Sequence, residues 1–196
     1  MKRTILGLLT LLTFCGTVFA EEDAPAEKTW AETKFGTELI NASGKKFKTA
    51  DALKDKLVLV YFSASWCPPC RAFTPKLVDF YKKAIRQNEI TVVLVGWDKT
   101  ADAMKNYMKK YAMPWYAVPF EAPENAAVKR ELTVNGIPAL AVYEKDGRLL
   151  SGGARWDVML LGTKAVDAWR SPAYTPKTLE DYKKTLPNKS RGKRRK

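Results

Sequence analysis

Two cysteines separated by two prolines, Cys67-Pro68-Pro69-Cys70, are the residues whose types and spacing carry chemistry. Positions i and i+3 of a helix share a face, so the two sulfurs are close enough to bridge. The run follows Leu57–Phe62, a continuous stretch of β-forming apolar residues. It precedes Arg71–Arg86, where Phe73, Leu77, Phe80, Tyr81 and Ile85 recur at helical spacing. Cys67 is therefore expected at a helix start, with Pro68 in the first turn, where its missing N–H costs nothing. The free N–H groups and the positive end of the helix dipole stabilise a thiolate there. A Cys67 pKa below the free value of about 8.5, close to about 7, follows, near the optimum for disulfide exchange. The geometry divides the work: Cys67, at the exposed tip, attacks a partner disulfide, and Cys70, one turn in, resolves the mixed disulfide.

Two other uses of the pair are weaker. A structural bridge closing so short a loop contributes little loop entropy. Half a zinc site needs two more ligands, and the chain has three cysteines and no histidine. The missing histidine also excludes a Ser-His-Asp triad, a Cys-His nucleophile pair and His-ligated haem. No metal and no cofactor are expected. The Cys70 proton must pass to water, a carboxylate or another titratable group.

The elements that position this site are legible from periodicity. Glu38–Phe47 reads as a hairpin, and Ile90–Val95 as a second buried strand. Ala101–Tyr111 and Glu124–Leu132 read as helices. Ala139–Tyr143 is a strand that turns at Asp146-Gly147 into Leu149-Leu150, and Asp157–Trp169 reads as one last helix. Strands alternating with helices require crossovers and a mixed sheet covered on both faces, an α/β domain over about 35–172.

The ends read differently. Met1-Lys2-Arg3, the uncharged run Ile5–Ala20 and Val18-Phe19-Ala20 follow the order of a secretory signal peptide, residues 1–20. The apolar run is short of the roughly 20 residues of a spanning helix, which disfavours the alternative of an uncleaved membrane anchor. Cleavage would remove Cys15 and lower the formal charge from +13 to +11. Residues 21–34 read as a linker and 173–196 as a basic tail. Eight of the basic residues lie in Lys183–Lys196, so the body retains only +3. The tail suits loose contact with anionic envelope surfaces; no specific nucleic acid is expected.

Tyr61-Phe62-Ser63-Ala64-Ser65-Trp66-Cys67-Pro68-Pro69-Cys70-Arg71, with Met113–Phe120 and Asn135–Leu140, resembles the thioredoxin superfamily, and within it the tryparedoxin/nucleoredoxin-like branch. The resemblance covers roughly 36–170. It implies a thioredoxin-like fold with a four- or five-stranded central sheet and a redox-active Cys67–Cys70 disulfide. It also implies a cis Ile137–Pro138 peptide whose loop, Gly136-Ile137-Pro138, offers backbone groups to an extended substrate chain. Trp66 matches the family's flat aromatic beside the nucleophile, Arg71 the basic residue after the second cysteine, and Pro75 a helix kink. Tyr61 stands where ordinary thioredoxins carry a buried aspartate, as in the tryparedoxin branch. Trp115 and Tyr116 are expected partly exposed near the site. The reading is a thiol–disulfide oxidoreductase acting on protein thiols and disulfides with an upstream electron donor. It is expected to act outside the cytoplasm, in the periplasm, as a reductant and a monomer. The competing readings are a redox-inactive partner-binding or chaperone module on the same fold, or an anionic-surface binder through the basic tail.

Overall fold

A computed structural model describes residues 27–85, 90–132 and 134–186. The expected signal peptide with Cys15, and the chain from Pro187 onward, lie outside these residues. The elements run α1 (Trp30–Phe35), β1 (Glu38–Ile40), β2 (Lys46–Lys48), α2 (Thr49–Leu53), β3 (Leu57–Ser63), α3 (Pro68–Ala84) and β4 (Ile90–Gly96). They continue with α4 (Ala101–Lys110), β5 (Tyr116–Ala117), α5 (Pro123–Glu131), β6 (Ala139–Tyr143), β7 (Leu149–Ser151), α6 (Ala154–Leu161), α7 (Lys164–Arg170) and α8 (Leu179–Thr185).

One mixed sheet is formed in the order β2-β1-β5-β4-β3-β6-β7. β3 pairs in parallel with β4 over seven positions and antiparallel with β6, so it is central and buried along its whole length. Successive side chains alternate between the two faces. Leu57, Leu59 and Tyr61 meet α3, α4, α6 and α7, whereas Val58, Val60 and Phe62 meet α1, α2 and α5. Both faces are therefore covered, which explains why β3 and β4 read as unbroken apolar runs. Among the described residues the sheet has seven strands rather than the implied four or five, because the β1–β2 hairpin continues one edge through β5 and β7 extends the other.

Three sequence expectations are corrected. The last helix is two helices: Gly162, at φ 55°, ends α6, and α7 restarts at Lys164. The expected linker contains α1, whose Thr29–Glu32 capping box starts a helix that buries Ala31 and Phe35. The expected tail contains α8. Trp30 anchors α1 by donating from Nε1 to the Lys145 carbonyl at 2.7 Å and stacking on Tyr143. It also crowds Gly147, at φ 89°, where a Cβ would lie 2.8 Å from the indole. Gly147→Ala should therefore cost about 1–2 kcal/mol in urea denaturation; an unchanged midpoint would contradict this packing.

Candidate active site

β3 ends at Ser63, and the chain turns through Ala64–Trp66 into α3 at the carboxyl end of the central strand, where open α/β sheets place their ligands. Cys67 is the N-cap of α3: its extended backbone precedes Pro68, and its Sγ accepts the Cys70 N–H at 3.3 Å. That bond, with the helix dipole, favours negative charge on this sulfur. Cys67 and Cys70 are joined by a disulfide, with Cα atoms 5.2 Å apart. Cys70 is wholly buried, and Cys67 is only 3 % exposed rather than standing at an open tip. The cover over Cys67 comes from the facing loop. The Ile137–Pro138 peptide is cis, and the Ile137 carbonyl oxygen lies 3.7 Å from Cys67 Sγ. Ile137 and Trp97 pack against the two cysteines, Pro138 is buried beneath the loop, and Gly136 is exposed at its rim.

Trp66 is 52 % exposed beside Cys67, its Nε1 donating to the Trp97 carbonyl at 2.9 Å. Pro68 and Pro69 are exposed on the first turn. Arg71 leans back and donates from Nη1 to the Ser65 carbonyl at 3.2 Å. It therefore braces the turn before the cysteines. Asp98 holds the same turn from the other side: Oδ1 accepts the Ser65 N–H at 2.9 Å and the Ser65 hydroxyl at 2.6 Å. Its Oδ2 is buried and accepts no hydrogen bond from the described residues.

Tyr61 lies beneath α3. Its hydroxyl is 2.8 Å from the Thr74 hydroxyl, accepts from Ser63 Oγ at 3.0 Å and reaches the Cys70 carbonyl at 3.5 Å; Thr74 also donates to that carbonyl. Burial, and then the nearby Tyr107, push the Tyr61 phenol well above its ordinary pKa. It stays protonated and ties the start of α3 to β3; it is no base for the Cys70 proton.

The structure thus gathers Trp66, Cys67, Pro68, Pro69, Cys70, Ile137 and Pro138 at one place and puts Tyr61 in support. Trp115 is corrected: it is buried, edge-on to Tyr61 and Tyr81, because Tyr116–Ala117 pairs with β4 and turns it inward. Tyr116 is half-buried against Phe47. Sequence reasoning missed Trp97 and Asp98. Their signal was available: a Trp-Asp pair directly after β4, the neighbour in register with β3.

A thioredoxin-like family model matches residues 55–149. The tryparedoxin of Trypanosoma brucei brucei is 38 % identical over 125 residues, which are 63 % of this chain and 84 % of that protein. The chain belongs to the tryparedoxin-type thioredoxin-like oxidoreductases. A probable nucleoredoxin 1 of Arabidopsis thaliana is 38 % identical over 128 residues, 65 % of this chain but 22 % of that protein. The chain therefore spans only about a fifth of that nucleoredoxin's length. Among solved structures, a tryparedoxin II complexed with glutathionylspermidine is 34 % identical with TM-score 0.64, covering 75 % of this chain and all of that one. The tryparedoxin of Trypanosoma brucei is 34 % identical with TM-score 0.63, covering 72 % and 99 %.

Proposed function

We propose that this protein reduces disulfides in protein substrates outside the cytoplasm, with Cys67 as nucleophile and Cys70 as resolving thiol. The observation that carries the chemistry is Cys67 as N-cap of α3, its sulfur facing the Cys70 N–H beside the cis Ile137–Pro138 loop. In the reduced pair, the Cys67 thiolate attacks one sulfur of the partner disulfide. A Cys67–partner bond forms, the partner bond breaks, and the other partner sulfur leaves as a thiolate. The Cys70 thiolate then attacks Cys67 Sγ, closing the internal disulfide and releasing the second partner thiol. Two electrons pass from the pair to the partner, and a separate thiol donor must restore them. The loop at Gly136-Ile137-Pro138 presents backbone groups along which an extended partner strand can align.

Export is supported by the signal-peptide pattern of residues 1–20, and the reductive direction by the resemblance to tryparedoxins. The basic residues from Lys183 onward suit loose contact with anionic envelope surfaces, and the protein acts as a monomer. Direction is tested by titrating the Cys67/Cys70 pair against dithiothreitol or glutathione. A potential near about −270 mV is expected; one near about −120 mV would make the protein an oxidant.

A further inference from the structure

One face of α3 leads away from the cysteines. Pro69, Phe73, Lys76, Phe80 and Lys83 are spaced four, three, four and three residues apart, so they form a single stripe. Opposite stand α6 and the start of α7, packed on the same side of the sheet. Two depressions, of about 200 and 470 Å³, lie between them and meet at Lys76 and Met159. Together they make one furrow, from Pro69 between the cysteines to Lys83 and Lys164. Fourteen residues of helix at about 1.5 Å each give it a length of about 21 Å, the reach of roughly six extended residues.

The floor is apolar, with Phe73, Phe80, Val158 and Met159, and the rim is cationic. Lys76, Lys83, Lys164 and Arg155 face it against one acid, Asp79, which pairs with Lys83 at 2.7 Å. Among the described residues, no ion pair involves Lys76 or Lys164. Arg155 lies over the rings of Phe73 and Trp156, and its Nε is buried with no hydrogen-bond partner among the described residues. At the end nearest the cysteines, Tyr182 of α8 closes the furrow beside Trp156. Like charge disfavours the chain's own basic C-terminal sequence as occupant.

The geometry points to this furrow as a docking surface for an acidic segment, carrying an apolar side chain, in the protein whose disulfide Cys67 attacks. It rests on the proposed reaction and adds the class of partner. Attraction between a carboxylate-bearing segment and a rim of exposed lysines beside the half-buried Arg155 gives orientation and faster encounter, and salt weakens it.

The test uses two peptides with the same disulfide loop. One is followed by Glu-Phe-Glu-Leu-Asp and the other by Lys-Phe-Lys-Leu-Lys. The wild type should reduce the acidic peptide with a KM about tenfold lower, a difference that shrinks in high salt. The K76E/K164E double variant should lose or reverse that preference while reducing a small aromatic disulfide at the wild-type rate. Equal KM values for the two peptides in the wild type would overturn the proposal. So would a preference that survives K76E/K164E but disappears on truncation after Leu186, which would assign recognition to the tail. Failure of the wild type on the small disulfide as well would count against the redox reading rather than the furrow.

Discussion

Cys67→Ser should bring the reduction of insulin disulfides, with a small dithiol as donor, down to the uncatalysed background. A serine hydroxyl at the N-cap keeps the hydrogen bond from the Cys70 N–H, so the fold and the start of α3 survive. The loss is therefore chemical, because an alcohol at this position neither forms nor breaks a disulfide. Cys70→Ser should behave differently. Cys67 still attacks, but the mixed disulfide has no internal thiol to resolve it, so covalent adducts with substrate proteins accumulate and disappear on added reductant. The two variants separate the roles that geometry assigns: Cys67 lies beside the cis Ile137–Pro138 loop, and Cys70 is wholly buried behind it. Activity that persists in Cys67→Ser would transfer the attack to another group and end this mechanism.

The second large effect is on stability and involves a carboxylate remote from the cysteines. Asp157 is fully buried, and no cation pairs with it among the described residues. Its Oδ2 accepts from Trp169 Nε1 at 2.9 Å, from the Tyr174 hydroxyl at 2.6 Å and from Ser151 Oγ at 3.3 Å, while Oδ1 accepts the Lys177 N–H at 3.0 Å. One side chain thus fastens α7 and the segment leading into α8. Asp157→Ala leaves these donors buried and unpaired and should lower the unfolding free energy by about 3 kcal/mol or more. Urea denaturation measures the loss. Faster tryptic cleavage after Lys177 would report release of the following segment, including the Trp156–Tyr182 contact. A loss below about 1 kcal/mol would mean that the carboxylate is not the fastening point.

What sequence reasoning recovered, and what it missed, follow from how local each signal is. The Cys-Pro-Pro-Cys run carries its own context, a buried strand before it and an amphipathic helix after it, and α3 starts where the prolines permit. β3, β4 and β6 are apolar on both faces, so their identity is written in consecutive residues. The cis peptide at Ile137–Pro138 came through resemblance and has no local signature distinguishing it from an ordinary turn. Asp157 was invisible because its four partners are scattered from Ser151 to Lys177 and are brought together only by the packing of α6 and α7. Trp115 was misplaced because its burial depends on a two-residue strand pairing with β4, too short to register as a period. α1 carried a legible Thr29–Glu32 capping box, yet its six residues fell inside charged, proline-containing sequence. Gly162 marked the break between α6 and α7, but apolar spacing continues across it and suggests one helix.

The central claim is that position in the fold turns Cys67 into the attacking thiolate. It is tested most directly by the rate of alkylation of the fully reduced protein by iodoacetamide between pH 4 and 10, with mass mapping of the modified cysteine. Only the thiolate reacts, so the midpoint reports its pKa. The account predicts that Cys67 is modified first, with a midpoint near about 7 and below the free-cysteine value of about 8.5. A midpoint at or above about 8.5, or modification of Cys70 ahead of Cys67, would contradict it.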